Sequence, residues 1–374
     1  MDFETHPAMR TMAAASTLPF TLFLLCGFFV SSRATSPSTA GNGHDLLMPD
    51  RFHGWMARQG RSYPSADEKL RRFAVYKRNV GYIEVMNRDG RLGYELGENE
   101  FTDLTAEEFA ARYTAAAAVP TDDVDHVEDN VMVITTRAGD VHECRDRMTA
   151  NGVDNAAALD AIPSSVDWRD NGAVTPAKNQ MECGAGWAFA AVATVESIWK
   201  IKKGALMSLS EQEILDCDPR SRGNPDTAFE WVVRHGLTTE AYYPYRGAKA
   251  DHCDTQKTAK SVASVRGYRG APRRNEAALA AAVARQPIAV AIDASGENMQ
   301  HYKSGVYAGP CGTEANHHVA LVGYGETEDG VKYWIAKNSW GQNWGDEGFF
   351  LMRRGVDGAA GLCGVALNPV YPTL

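Results

Sequence analysis

After residue 162 the segments of helical spacing in this chain come first and the strand-like segments follow. In WAFAAVATVESIWKI, Phe189, Val192 and Val195 recur at helical spacing after Gly186, which marks a buried helix. SLSEQEIL reads as a helix start, with Ser210 as N-cap, Glu213 at N3, and Leu209 and Ile214 placed to pack across the turn. AFEWVVRHG is a further helix, ended by Gly236. PIAVAID, HHVALVGYG, KYWIAKNSW and GFFLMRR then follow as strands. Helices in one run and strands in the next predict an α+β fold with two packed halves.

The 374 residues give ample core for that fold and a second, smaller unit before it. A net charge of -9 with no basic stripe excludes nucleic acid as the main partner, and no phosphate-cradling G-x-x-x-x-G-K-Ser/Thr segment occurs. Near the start, Arg10 precedes the apolar run Leu18–Val30 and the small-residue exit Ser31-Ser32-Arg33-Ala34. That run is short of the ~20 residues a bilayer span needs, so residues 1–34 read as a cleaved secretory signal. Secretion makes disulfides plausible, and Cys26 leaves with the signal.

Between signal and fold lies a helical region, residues 48–113. Glu68, Arg72, Tyr76, Asn79, Ile83 and Asn87 follow one another at steps of three or four, which puts all six on one helical face. A face that mixes charge, amide and apolar groups in fixed register suggests a docking surface. Gly97, Asn99, Phe101 and Asp103 alternate like a short strand, and Thr105 with Glu108 forms a capping box. Residues 114–160 turn Ala-rich and acidic without sustained periodicity, so they read as a linker containing Cys144. The last unit is residues 161–374.

These segments together resemble the precursor of a papain-like cysteine protease. The Glu68…Asn87 series resembles the ERFNIN helix of that family's inhibitory propeptide, with Tyr76 where Phe is usual, and Gly97-x-Asn99-x-Phe101-x-Asp103 resembles its GNFD motif. PSSVDWRDNGAVTPAKNQ is similar to the start of the mature enzyme, EANHHVALVGYG to its histidine strand, and KNSWGQNWGDEGFF to its asparagine segment. The resemblance implies a helical half and a barrel-like antiparallel β half with a cleft between them. It also implies roles: Gln180 as the oxyanion-hole amide, His317 as the base, Asn338 as its orienter, and Trp340 as the shield over that pair. Trp187 and Gly223 belong to the cleft by the same resemblance. The disulfides it implies are Cys217–Cys253 and Cys311–Cys363.

The chain departs from that family at two places. The nucleophile position falls on Gly186, in MECGAGWAFA, and glycine has no side chain. The segment DCDPRSRGNPDTAFEW is shorter than its family counterpart and lacks a cysteine, which leaves Cys183 without its family partner and alters one cleft wall. Cys144 is a possible new partner that sequence alone does not settle. The chain is therefore expected to be a plant-type pseudoprotease of the secretory pathway, extracellular or vacuolar. As a monomer without cofactor it would bind a peptide or protein ligand in its cleft, besides its own propeptide. The alternative is an active endopeptidase that uses Cys183, or an allele with Cys at 186. The pair His317-His318 is not expected to hold a metal, because neighbours on a strand point to opposite faces; His318 is expected in the core.

Overall fold

The structure, a computed structural model, describes residues 43–90, 92–114, 162–219 and 223–374. The expected signal and Cys144, together with the linker beyond Thr114 up to residue 161, lie outside the described residues. Leu47–Leu374 pack as one unit.

The pro-segment opens with α1 (Gly43–Arg58) and α2 (Ala66–Arg88), continues through β1 (Tyr94–Leu96), and ends on α3 (Ala106–Tyr113). Met48, Phe52, Trp55, Tyr76 and Val80 form a small core between α1 and α2. The polar members of the α2 face satisfy the backbone of the chain that returns across it. Arg72 donates to the Asp103 carbonyl at 2.9 Å and pairs with Glu68 and Glu108; Asn79 donates to the carbonyls of Thr102 and Leu104. Tyr76 donates to Glu98, and Asn87 exchanges two hydrogen bonds with Leu96 while Ile83 fills the core beneath.

Residues 97–99 are irregular and 100–103 form a turn, rather than the strand their alternation suggests. The Asn99 side chain accepts from the Phe101 amide, and Thr102 closes back on Asn99, so local side-chain bonds win over the ladder. Gly97 lets Lys303 approach closely: a Cβ there would lie 2.9 Å from Cδ of that side chain, which would have to shift.

In the helical half, α4 (Gly186–Lys203) is buried along most of its length, against α5 (Glu211–Cys217) and α6 (Pro225–His235). Ser210 caps α5 by accepting from the Glu213 amide, but the expected box is only half formed: Glu213 accepts instead from the Thr238 amide. The β half is built on β4 (Ile288–Ile292), β5 (Tyr302–Tyr307), β6 (His317–Glu326), β7 (Lys332–Lys337), β8 (Phe349–Arg353) and β9 (Val370–Thr373), with short strands β2 (Val166–Asp167) and β3 (Gly267–Gly270). The strand order is β1-β5-β8-β7-β6-β4-β9-β3, with β2 on β6. Every pair is antiparallel except β5 with β8. The pro-segment thus supplies the sheet's outermost strand, with Leu96 opposite Tyr302.

The halves meet at a buried charge cluster. Lys178 Nζ reaches Glu196 of α4 at 3.0 Å and Glu211 of α5 at 2.8 Å, while Lys337 of β7 donates to Thr175, which donates to Glu196. Disulfides Cys217–Cys253 and Cys311–Cys363 staple one half each.

Candidate active site

The site is assembled where the N-terminus of α4 faces the start of β6. Gly186 is the first residue of α4, so its N–H has no acceptor within the helix. The approach to it turns sharply, with positive φ at Met181 (53°) and at Gly184 (62°). His317 opens β6 opposite Ile292, which fixes its ring toward α4, while Asn338 follows the end of β7.

His317 Nε2 donates to Asn338 Oδ1 at 2.8 Å, and the ring stacks on Trp340 at 4.6 Å between centroids. With Nε2 carrying the proton, Nδ1 presents a lone pair to Gly186. A Cβ on Gly186 would lie 2.7 Å from both Nδ1 and Cε1 of that ring, and 3.1 Å from Gln180 Oε1. The imidazole therefore fills the space a side chain would need. Burial pushes His317 down to about 4, against the bond to Asn338, which favours the charged form. The ring is neutral, with no anion to pair with.

Gln180 is fully buried and held on every side. Its Oε1 accepts from Ser339 Oγ at 2.7 Å, its carbonyl from Tyr245, and its Nε2 donates to the Tyr113 carbonyl at 3.0 Å. The amide that the resemblance assigns to an oxyanion hole thus carries a carbonyl, supplied by the last residue of α3. Phe101, Phe109 and Tyr113 interlock, and the first two meet Trp340 edge-on at 5.9 and 5.0 Å. Arg112 adds an exposed ion pair to Glu182.

Sequence reasoning brings together Gln180, His317, Asn338, Trp340 and Gly186. It missed Ser339, Tyr245 and Tyr113, although Ser339 stands between two residues it singled out. Trp187 packs in the helical core, and Gly223 lies in the turn before α6 with φ 79°. Among the described residues Cys183 has no disulfide partner, and it lies beside Tyr245, whose hydroxyl donates to the Gln180 carbonyl. His318 is buried, as expected, and burial pushes it down to about 3.

Comparison with known proteins fits this geometry. Residues 162–373 match the papain family cysteine protease, and residues 52–109 the cathepsin propeptide inhibitor domain. Fruit bromelain of Ananas comosus is 42% identical over 97% of this chain and 96% of its own length. A senescence-specific cysteine protease of Oryza sativa subsp. japonica is 41% identical over 97% of this chain and all of its own. Among solved structures, a recombinant stem bromelain precursor superposes with a TM-score of 0.76 at 44% identity, covering 87% of this chain and 99% of its own. The proform of the ragweed pollen cysteine protease Amb a 11 gives 0.74 at 36% identity, covering 88% and 95%.

Proposed function

The chain belongs to the papain family of cysteine proteases, and from that membership we propose that it is a secretory-pathway member that binds through its cleft and does not hydrolyse. The observation that carries this reading is Gly186 with the His317 ring lodged 2.7 Å from where its Cβ would be. Hydrolysis in this family needs a thiolate at the helix N-terminus, made by an imidazole that holds the proton. Here His317, Asn338 and Gln180 remain as positioned parts without the atom they serve. Losing a nucleophile that acts as a unit with its base costs about 10⁶ in rate. The ligand is a peptide or protein strand that offers a carbonyl to Gln180, as Tyr113 does within the chain. The two disulfides support an oxidising compartment, extracellular or vacuolar, and the protein is taken as a monomer.

A second reading makes Cys183 the nucleophile. It is disfavoured because that thiol lies beside Tyr245, three residues before α4, while the free nitrogen of His317 faces Gly186.

The test is a peptidase assay on protein whose pro-segment has been removed by an added protease. Wild type is expected to be inactive at all pH values from acid to neutral. Gly186→Cys should regain only weak turnover, about 10²-fold below fruit bromelain on the same peptide, because the ring must first retreat from the new side chain. Wild-type hydrolysis that survives Cys183→Ser would refute the proposal, and hydrolysis lost with that change would favour the second reading.

A further inference from the structure

One buried ionisable group outside the site has no use in either reading. His301 lies between α7 (Glu297–Gln300) and β5, is 0% exposed, and neither ring nitrogen has a hydrogen-bond partner among the described residues. The pro-segment clasps the chain on both sides of it. Gly97 donates to the His301 carbonyl at 2.8 Å, and Leu96 pairs with Tyr302. Asn99 donates to the Gln300 carbonyl at 2.7 Å, while the Gln300 side chain donates to the carbonyls of Phe101 and Leu104.

We propose that His301 is an acid-sensitive latch: its uncharged imidazole is a condition of pro-segment closure, and its protonation opens the contact between Leu96–Leu104 and the strip Asn298–Tyr307. A buried imidazole with no acceptor on either nitrogen cannot take a second proton without placing an unpaired charge in the interface. The charged groups on the surrounding elements give no relief. On α2, Arg78 repels the proton, and it is itself paired with Glu297 of α7. Glu95 of β1 pairs with Lys303 of β5 at the surface, and Asp103 of the turn accepts from Tyr63.

Burial pushes His301 down to about 3 from its ordinary 6.5. A depressed imidazole binds fewer protons closed than open, so its contribution is complete above pH ~6.5 and is lost as pH falls toward about 3. Glu100 of the same turn acts in the opposite sense: burial raises it, against Arg61 and a bond to Asn179, so it takes up a proton more readily closed than open and does not drive opening as pH falls. Glu68, bonded by Arg71 and Arg72, is held down to about 2 and stays ionised through mild acid. His317 and His318 belong to β6, whose ladder runs to β2, β4 and β7 and not to the Leu96–Leu104 turn.

The experiment is amide hydrogen exchange on the full-length chain, read at Leu96–Leu104 and corrected for intrinsic rates. Between pH 7 and pH 4.5 the opening constant of wild type should rise about 100-fold for the one proton. In His301→Phe that rise should vanish while protection at pH 7 is kept, and His301→Leu serves if the Phe variant does not fold. An unchanged rise in the folded variant overturns the proposal. So does a ¹³C-histidine titration of wild type that finds His301 charged at pH 5.5 with the segment still protected; a neutral ring there supports it.

Discussion

At Gly186 the absent side chain has consequences for its neighbour as well as for chemistry. An imidazole facing a thiolate gains from being charged; His317, closed over a glycine and sealed by Trp340, has lost that gain and is held neutral by burial. His318 is the other half of the strand's two-faced pair, and it too sits uncharged in the core. Being depressed, it contributes stability at neutral pH that is lost as pH falls from ~6.5 toward about 3. His318→Ala should cost about 1–3 kcal/mol at pH 7 for the volume removed. The gap between stabilities at pH 7 and pH 4.5, taken from urea midpoints, should nevertheless shrink by about 2–3 kcal/mol. An unchanged gap would mean that His318 is not the titrating group. At this scale the motif residues were legible because their order along the chain is distinctive. Tyr113 and His301 were not, because what matters about each is a carbonyl or an enclosure provided by segments far away in sequence.

Among elements, helix ends were read more accurately than the turn between them. Thr105 and Glu108 make the full box at the start of α3, since both partners lie within one turn of chain. The box expected at Ser210 is half formed because Glu213 is claimed by Thr238, a residue whose proximity only the fold creates. The Gly97–Asp103 alternation had the period of a strand but the residues of a turn, and Asn99 and Thr102 decide it. That turn depends on α2. Asn79 supplies both donors to the Thr102 and Leu104 carbonyls, but Leu104 keeps a second donor in Gln300. Asn79→Ala therefore orphans mainly the Thr102 carbonyl, and should lower stability in urea by about 2 kcal/mol. It should also raise exchange at residues 97–104 more than in α4. Equal loosening everywhere would place the turn's support elsewhere.

For the whole molecule, the α+β division follows from helices leading and strands following along the chain, with one helix, Glu276–Val283, returning between β3 and β4. What period could not give is that the pro-segment adds an edge strand to the sheet and occupies the Gln180 side-chain amide. With glycine at position 186, purified precursor held at acid pH is expected on the proposed reading to remain full length, even where the latch at His301 has opened. Electrophoresis over several protein concentrations checks this, and concentration-dependent self-cleavage near residues 158–162 would contradict it. The pairing of β1 with β5 has one more consequence, for solubility. A chain cut back to residue 162 and produced without its leading portion would present β5 as an open ladder, with Val306 and Tyr307 at one end of it. Bare edges of this kind recruit other strands. Such a shortened protein should self-associate in light scattering at concentrations where the uncut chain stays dispersed, and a peptide spanning Gly93–Gly97 should reverse the effect.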